Sequence, residues 1–146
     1  MKTFKILGLL LTYPEGSVLK AHDELLQVIQ DEAILPKGAI KKIKHFIDVQ
    51  NNKELLEIQE DYVDLFDRGR AHCLHLFEHI HGESRDRGQA MVDLIETYKS
   101  KGIYIDNNEL PDYLPLFMEY LSNCSFHEAS ELLGDAIDVI AMIGKK

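Results

Sequence analysis

Apolar residues recur at intervals of three and four along nearly the whole sequence, a rhythm that suits packed helices and little else. Phe4, Leu7, Leu10 and Leu11 form a first stripe, stopped by Pro14. Leu19, Leu25, Leu26 and Ile29 form a second, ending before Pro36. Ile40, Ile43 and Ile47 give a third, with lysines between them. Asn52 is placed to cap a fourth helix carrying Leu55, Ile58, Tyr62, Leu65 and Phe66. A fifth is expected from about Ala71 to Ile80, stopping at Gly82. Ser84 caps a sixth, with Met91, Leu94, Ile95 and Tyr98 on one face and Gly102 as its stop. Pro111 opens a seventh with Leu114, Phe117, Met118 and Leu121. Ser125-Phe-His-Glu128 is a capping box, starting a last helix with Phe126, Ala129, Leu133, Ile137 and Ile140 inward. Only residues 102–106 read as a strand; alternating patterns and hairpin dipeptides are otherwise absent. There is no repeat, low-complexity tract or linker. The expected fold class is all-α, a compact bundle of seven or eight short helices forming one domain over residues 1–146.

A chain of 146 residues buries about two thirds of its unfolded surface, enough for a core. The formal net charge of -9 disfavours nucleic acid and anionic membrane, which need a basic footprint. It suits a basic partner, or solubility alone. Cys73 and Cys124 stand apart, as thiols do in a reducing compartment. The run Ile6 to Leu11 is short for a secretory signal and lacks a small-residue cleavage site, so it reads as a first core helix. No segment has the ~20 apolar residues of a membrane span. A cytoplasmic protein without direct membrane insertion is expected.

The polar chemistry concentrates between Asp67 and Gly88. All four arginines (Arg68, Arg70, Arg85 and Arg87) lie there, while every cation elsewhere is lysine. Arginine is preferred where a planar fork must hold a carboxylate or stack on a ring. Asp64, Asp67, Glu78, Glu83 and Asp86 are close enough in sequence to pair with them, so an internal network bracing two helix ends is one reading. His72, His75, His79 and His81 share the window. His75-Leu-Phe-Glu78-His79 fits HxxEH, and His72, His75 and His79 would share a face of the expected fifth helix. The pattern is short, the stretch is rich in histidine and no further acid is placed as a ligand, so no metal site is expected. Cys73 and His72 are neighbours and would diverge on a helix, a poor nucleophile–base pair. GxSxG, P-loop and GxGxxG patterns are missing. No catalytic residue is expected.

The residues then become specific. Tyr62-Val-Asp-Leu-Phe66, Asp67-Arg-Gly-Arg-Ala71 and the stretch from Leu76 through Phe77-Glu78-His79 to Leu94 strongly resemble the NarJ family, with its relatives TorD and DmsD. Glu109-Leu-Pro-Asp-Tyr-Leu-Pro-Leu-Phe-Met-Glu-Tyr-Leu121 resembles a second hallmark, and Leu9-Leu-Leu-Thr-Tyr-Pro14 the family's first helix. The similarity runs over nearly the whole chain. It implies a TorD-like helical fold, no catalysis and no bound cofactor. Family members are chaperones for assembly of respiratory nitrate reductase. They bind the N-terminal, signal-like peptide of its catalytic (alpha) subunit and hold that subunit in the cytoplasm until its molybdenum cofactor is inserted, before membrane docking. The aromatic-x-x-Leu-Phe signature falls on Tyr62, Leu65 and Phe66. The Glu-x-Pro-Asp-His signature falls on Glu109, Pro111 and Asp112, with Tyr113 in place of histidine. Family chains continue beyond Gly144-Lys-Lys146, so a C-terminal portion is expected to be missing. The resemblance also admits a homodimer with exchanged helices.

The mechanism this implies is helix-in-groove recognition. Tyr62, Leu65, Phe66, Leu76, Phe77, Met91, Leu114 and Phe117 are the candidate apolar walls. Glu78, Glu83, Glu109, Asp112 and Glu119 are candidate acids for peptide lysines and arginines. Arg70, Arg85 and Arg87 would brace those acids or clamp a client carboxylate, and His81 and Pro111 are further candidate contacts. The four histidines could tune affinity near neutral pH. An alternative is a scaffold that binds the molybdenum cofactor itself through the arginine cluster, although no glycine-rich phosphate cradle accompanies it.

Overall fold

The computed structural model describes every residue except Glu83, Asn107 and Lys146. Among the described residues it holds nine α-helices: α1 (Lys2–Leu10), α2 (Gly16–Lys20), α3 (His22–Glu32), α4 (Lys37–Asn51), α5 (Leu55–Tyr62), α6 (Leu76–Ile80), α7 (Asp86–Lys99), α8 (Leu114–Ser122) and α9 (Phe126–Gly144). The only β pairing among them is one antiparallel bridge between His75 and Tyr113. The fold is all-α, as the periodicity predicts.

α1 and α8 form the central pair. They lie so close that a Cβ added at Gly8 would stand 2.8 Å from the Pro115 carbonyl oxygen and 3.0 Å from the Met118 Cβ. Phe4, Tyr98, Leu114, Phe117, Met118, Leu121, Ala129 and Ile143 pack into the core around this pair, drawing α7 and α9 onto it. A second contact joins α3 to α4, where Ile29 and Ile47 are wholly buried. Glu32, at the end of α3, reaches back to accept the Lys2 and Thr3 N–H groups, both at 2.8 Å. It thereby satisfies two of the donors that a helix start leaves unpaired.

Local signals set several ends as expected. The Ser125 hydroxyl accepts the Glu128 N–H while the Glu128 carboxylate accepts the Ser125 N–H, a complete capping box. Gly82 (φ 54) and Gly102 (φ 77) take the left-handed turns that close α6 and α7.

Other expectations need correction. The second segment is two helices, broken at Ala21, whose N–H turns back to the Val18 carbonyl. Asn52 closes α4 by donating to the Asp48 carbonyl, and α5 starts after an extended Glu54. The expected fifth helix keeps only Leu76–Ile80, because Leu74 and His75 are drawn out to pair with the chain at 112–114. Pro115 stands in the first turn of α8, and Pro111 lies before it. Residues 102–106 form no strand. On α9, Phe126 is 60% exposed and Ile137 48% exposed, so neither points inward.

Candidate functional site

Two neighbouring features make up the site: a polar junction that ties the two signature motifs together, and an apolar cleft beside it.

The junction is built on the run from Pro111 to Leu114. Asp112 is 0% exposed. Its carboxylate Oδ2 accepts the Phe77 N–H at 2.9 Å, and its carbonyl accepts the Leu76 N–H at 3.0 Å. Leu114 N–H donates to the Leu74 carbonyl at 2.8 Å. Asp112 thus caps the start of α6 from a distant part of the chain, its side-chain oxygen set where the helix presents its unpaired N–H groups. The other oxygen, Oδ1, has no hydrogen-bond partner and lies 3.8 Å from His75 Nδ1, too far for a hydrogen bond. Pro111 supplies its carbonyl to the Tyr98 hydroxyl at 2.7 Å. Tyr113 points the other way, and its hydroxyl meets that of Tyr62 at 3.3 Å. Since Tyr62 donates to the Leu11 carbonyl at 2.9 Å, Tyr113 is the donor between the two. Burial pushes both phenols above their ordinary range, so both stay protonated donors at any physiological pH. Tyrosine therefore fills the histidine position of the signature and links it to the aromatic-x-x-Leu-Phe motif. That motif sits where α5 runs into a wider π-helical turn, Val63–Asp67.

The cleft has a volume of about 470 Å³ and opens between α1, α4, α8 and α9. Leu7, Leu10 and Leu11 line one side, Ile43 and Phe46 another, and Leu133, Ile137 and Ile140 a third, with Leu114 and Met118 also lining it. Lys42 is the only charged residue among the described residues that line it. A smaller pocket of about 150 Å³ adjoins it, sharing Leu10, Leu11 and Phe46 and adding Tyr13, Tyr62, Leu65 and Phe66.

The sequence-predicted residues fall into four places. Tyr62, Leu65 and Phe66 line the smaller pocket and Leu114 the cleft. Leu76, Pro111, Asp112 and Phe117 are buried in the core or junction. Phe77 is half-buried with its ring 5.2 Å from that of His81, and Met91 is half-buried on α7. Glu78 and Arg87 are half-buried and Arg70, Arg85, Glu109 and Glu119 exposed, none of them lining the cleft or the smaller pocket, and Glu83 is outside the described residues. They do not form a single wall. The residues missed are those of α1, α4 and α9, with Met118 of α8. Their signal was the excess width of the apolar stripes, above all the three consecutive leucines at 9–11.

The arginines are partly spent on bracing. Arg87 Nη2 lies 2.7 Å from Glu78 Oε1 and its Nη1 donates to the Gly82 carbonyl; Arg68 pairs with Asp64 at 3.0 Å. The histidines diverge. His72 Nδ1 meets the Ile143 carbonyl at 3.0 Å, His79 Nε2 the Cys73 carbonyl at 2.8 Å, and His75 stacks on Tyr113. His72 and His75 lie outside α6, so the shared helical face expected for them does not exist. Among the described residues, no three His, Cys, Asp or Glu side chains converge as metal ligands would. Among the described residues no helix is long and apolar enough to cross a membrane.

Comparison with known proteins points the same way as the motifs. Over 141 residues the chain is 41% identical to the nitrate reductase molybdenum cofactor assembly chaperone NarJ of Escherichia coli K12, covering 97% of this chain and 60% of that protein. It is 40% identical to the probable chaperone NarW of the same strain, covering 99% of this chain and 59% of that protein. With the probable NarJ of Bacillus subtilis it shares 31% over 87% of this chain and 68% of the relative. The chain thus spans about 60% of the length of the E. coli relatives. The model of the nitrate reductase delta subunit family matches residues 30–141. With that match over most of its length and both signature motifs meeting at one junction, the chain belongs to the nitrate reductase delta subunit family.

Proposed function

We propose that this chain is a non-catalytic chaperone for nitrate reductase assembly. It binds the N-terminal, signal-like peptide of the catalytic subunit in the cytoplasm and holds that subunit for molybdenum cofactor insertion before membrane docking. The relatives' names supply the assembly role. The observation that carries the peptide reading is the cleft of about 470 Å³, walled by aliphatic and aromatic side chains from four helices. An amphipathic helix presents one apolar stripe and needs such a trough, with anchors spaced by a helical turn. The charge of -9 would speed the encounter with a basic peptide and make it sensitive to salt. In this reading Tyr62, Leu65, Phe66 and Leu114 are contact residues. Asp112, with Pro111 and Leu76, holds the junction that leads into Leu114.

The test is calorimetry of the protein with the peptide, alone and after Ile137→Asp or Leu10→Asp. A charge desolvated against the apolar wall should cost about tenfold or more in affinity. Binding that is unaffected by both changes would place the peptide elsewhere. The same experiment with free molybdenum cofactor separates the alternative reading through the arginines; tight cofactor binding with no peptide binding would reverse the proposal.

A further inference from the structure

Two of the helices that wall the cleft carry opposite charge. α4 has four lysines, Lys37, Lys41, Lys42 and Lys44, against one aspartate, Asp48. α9 has four acids, Glu128, Glu131, Asp135 and Asp138, and no lysine or arginine. The chain answers only part of this charge itself. Lys44 pairs with Asp48 at 2.8 Å, Lys101 with Glu128 at 3.3 Å, and His127 stands 3.3 Å from Glu131. Lys37, Lys41, Lys42, Asp135 and Asp138 are exposed and have no ion-pair partner among the described residues.

Each helix also presents a ridge beside its charges. On α9, Ser130, Gly134, Ile137 and Ala141 recur at intervals of four, three and four, and all are exposed. On α4, Gly38, Lys42, His45 and Val49 repeat the same intervals and are exposed as well. A glycine inside a helix weakens it, yet a Cβ added at Gly134 would meet nothing within 4 Å. No neighbour within this chain requires the space that Gly134 leaves.

We propose that the cleft face is a docking surface for a second copy of this chain, with α4 of each protomer lying along α9 of the other. A two-fold axis running along the cleft makes both contacts at once, because it exchanges the two walls. Each basic ridge then meets an acidic one, and Gly134 lets the partner helix approach closely. Ile137, Phe46 and Val49, exposed in the single chain, pass out of water. A basic peptide would be drawn to α9 and repelled by α4, whereas a second copy complements both. The pairing also covers an apolar cleft that is otherwise open to solvent. The inference stands without the peptide reading, although a client in the cleft and a partner over it exclude one another.

The test uses the whole protein without peptide. Sedimentation velocity at low salt should show a monomer–dimer equilibrium by about 100 μM protein and no larger species. Salt of about 0.5 M should weaken the dimer severalfold by screening exposed charges. Lys41→Glu with Lys42→Glu puts like charges at both contacts and should weaken dimerisation about tenfold or more. Asp135→Lys with Asp138→Lys should do the same. Mixed in equal amounts, the two double variants should regain a dimer, since both contacts of the mixed pair are again complementary. Gly134→Leu should block the dimer while the diluted monomer melts no lower than the unaltered protein. A monomer at every concentration would overturn the proposal. So would a dimer indifferent to salt and to both charge reversals, the result that exchanged helices would give. Failure of the mixture to pair, or assemblies that grow past the dimer, would overturn the two-fold arrangement.

Discussion

At the scale of single residues, the two most constrained positions are Gly8 and Asp112. Gly8 sits in the α1–α8 contact with a backbone carbonyl where a side chain would go. Helix propensity alone favours Gly8→Ala by about 1 kcal/mol. The clash should outweigh it, because a neighbouring helix backbone yields less readily than a side chain. A net loss of about 1–2 kcal/mol in chemical denaturation is expected; a stabilised variant would mean that the helices can part cheaply. Asp112→Ala removes the carboxylate that caps α6 and leaves the Phe77 N–H without its partner. A destabilisation of about 2 kcal/mol is expected. Asp112→Asn, which keeps an acceptor, should recover part of it, as read by denaturation midpoints. None of this was legible locally. The sequence marks Asp112 as part of a signature, yet its partner lies 35 residues away, and only the folded chain shows that its work is structural as well.

At the scale of elements, legibility followed the range of the interaction. The α9 start was readable because its cap closes within four residues. Ser125→Ala should cost about 1 kcal/mol, seen as a lower melting temperature. Asn52 was misplaced because a cap residue between two helices can serve either one, and here it serves α4. The first half of the helix expected over 71–80 is lost because Leu74 and Leu76 gain bonds to 112–114 that a local helix would forfeit. Phe126 and Ile137 keep the inward rhythm of α9, although Phe126 lies at the helix's first turn and Ile137 faces the cleft. Periodicity reports which side of a helix is apolar. It does not say whether protein, ligand or solvent covers that side.

At the scale of the whole molecule, two carboxylates link stability to pH. Burial pulls Glu32 upward, but the hydrogen bonds from Thr3 and Lys2 outweigh it and set it below the ordinary carboxylate range. The Ser125 N–H, with Lys101 beside it, lowers Glu128 likewise. Both groups therefore hold their proton less tightly folded than unfolded. Their stabilisation is complete above the ordinary carboxylate range, about pH 4–5, and is lost as pH falls through the lowered folded values. Melting temperature should accordingly drop on acidification below about pH 4, and Glu32→Gln should flatten that slope. An equally steep slope in the variant would remove Glu32 from the account. The family, the all-helical class and both motifs were open to reading from the sequence, because motifs and stripes are written in consecutive residues. The cleft was not, because it exists only between helices that are far apart in the chain.

The helix α4 packs chiefly on α3 while turning Ile43 and Phe46 toward the cleft. One wall of the trough is therefore cantilevered, anchored along one edge and open along the other. Its amides should exchange with solvent deuterium sooner than those of α8, which is gripped by α1. A peptide seated against it would supply the missing support, so α4 should gain the largest protection on binding. Exchange in α4 that is already as slow as in α8 without peptide would mean that the wall stands unaided. In the cantilevered case, a helix seated in the cleft would complete the core of the protein that holds it.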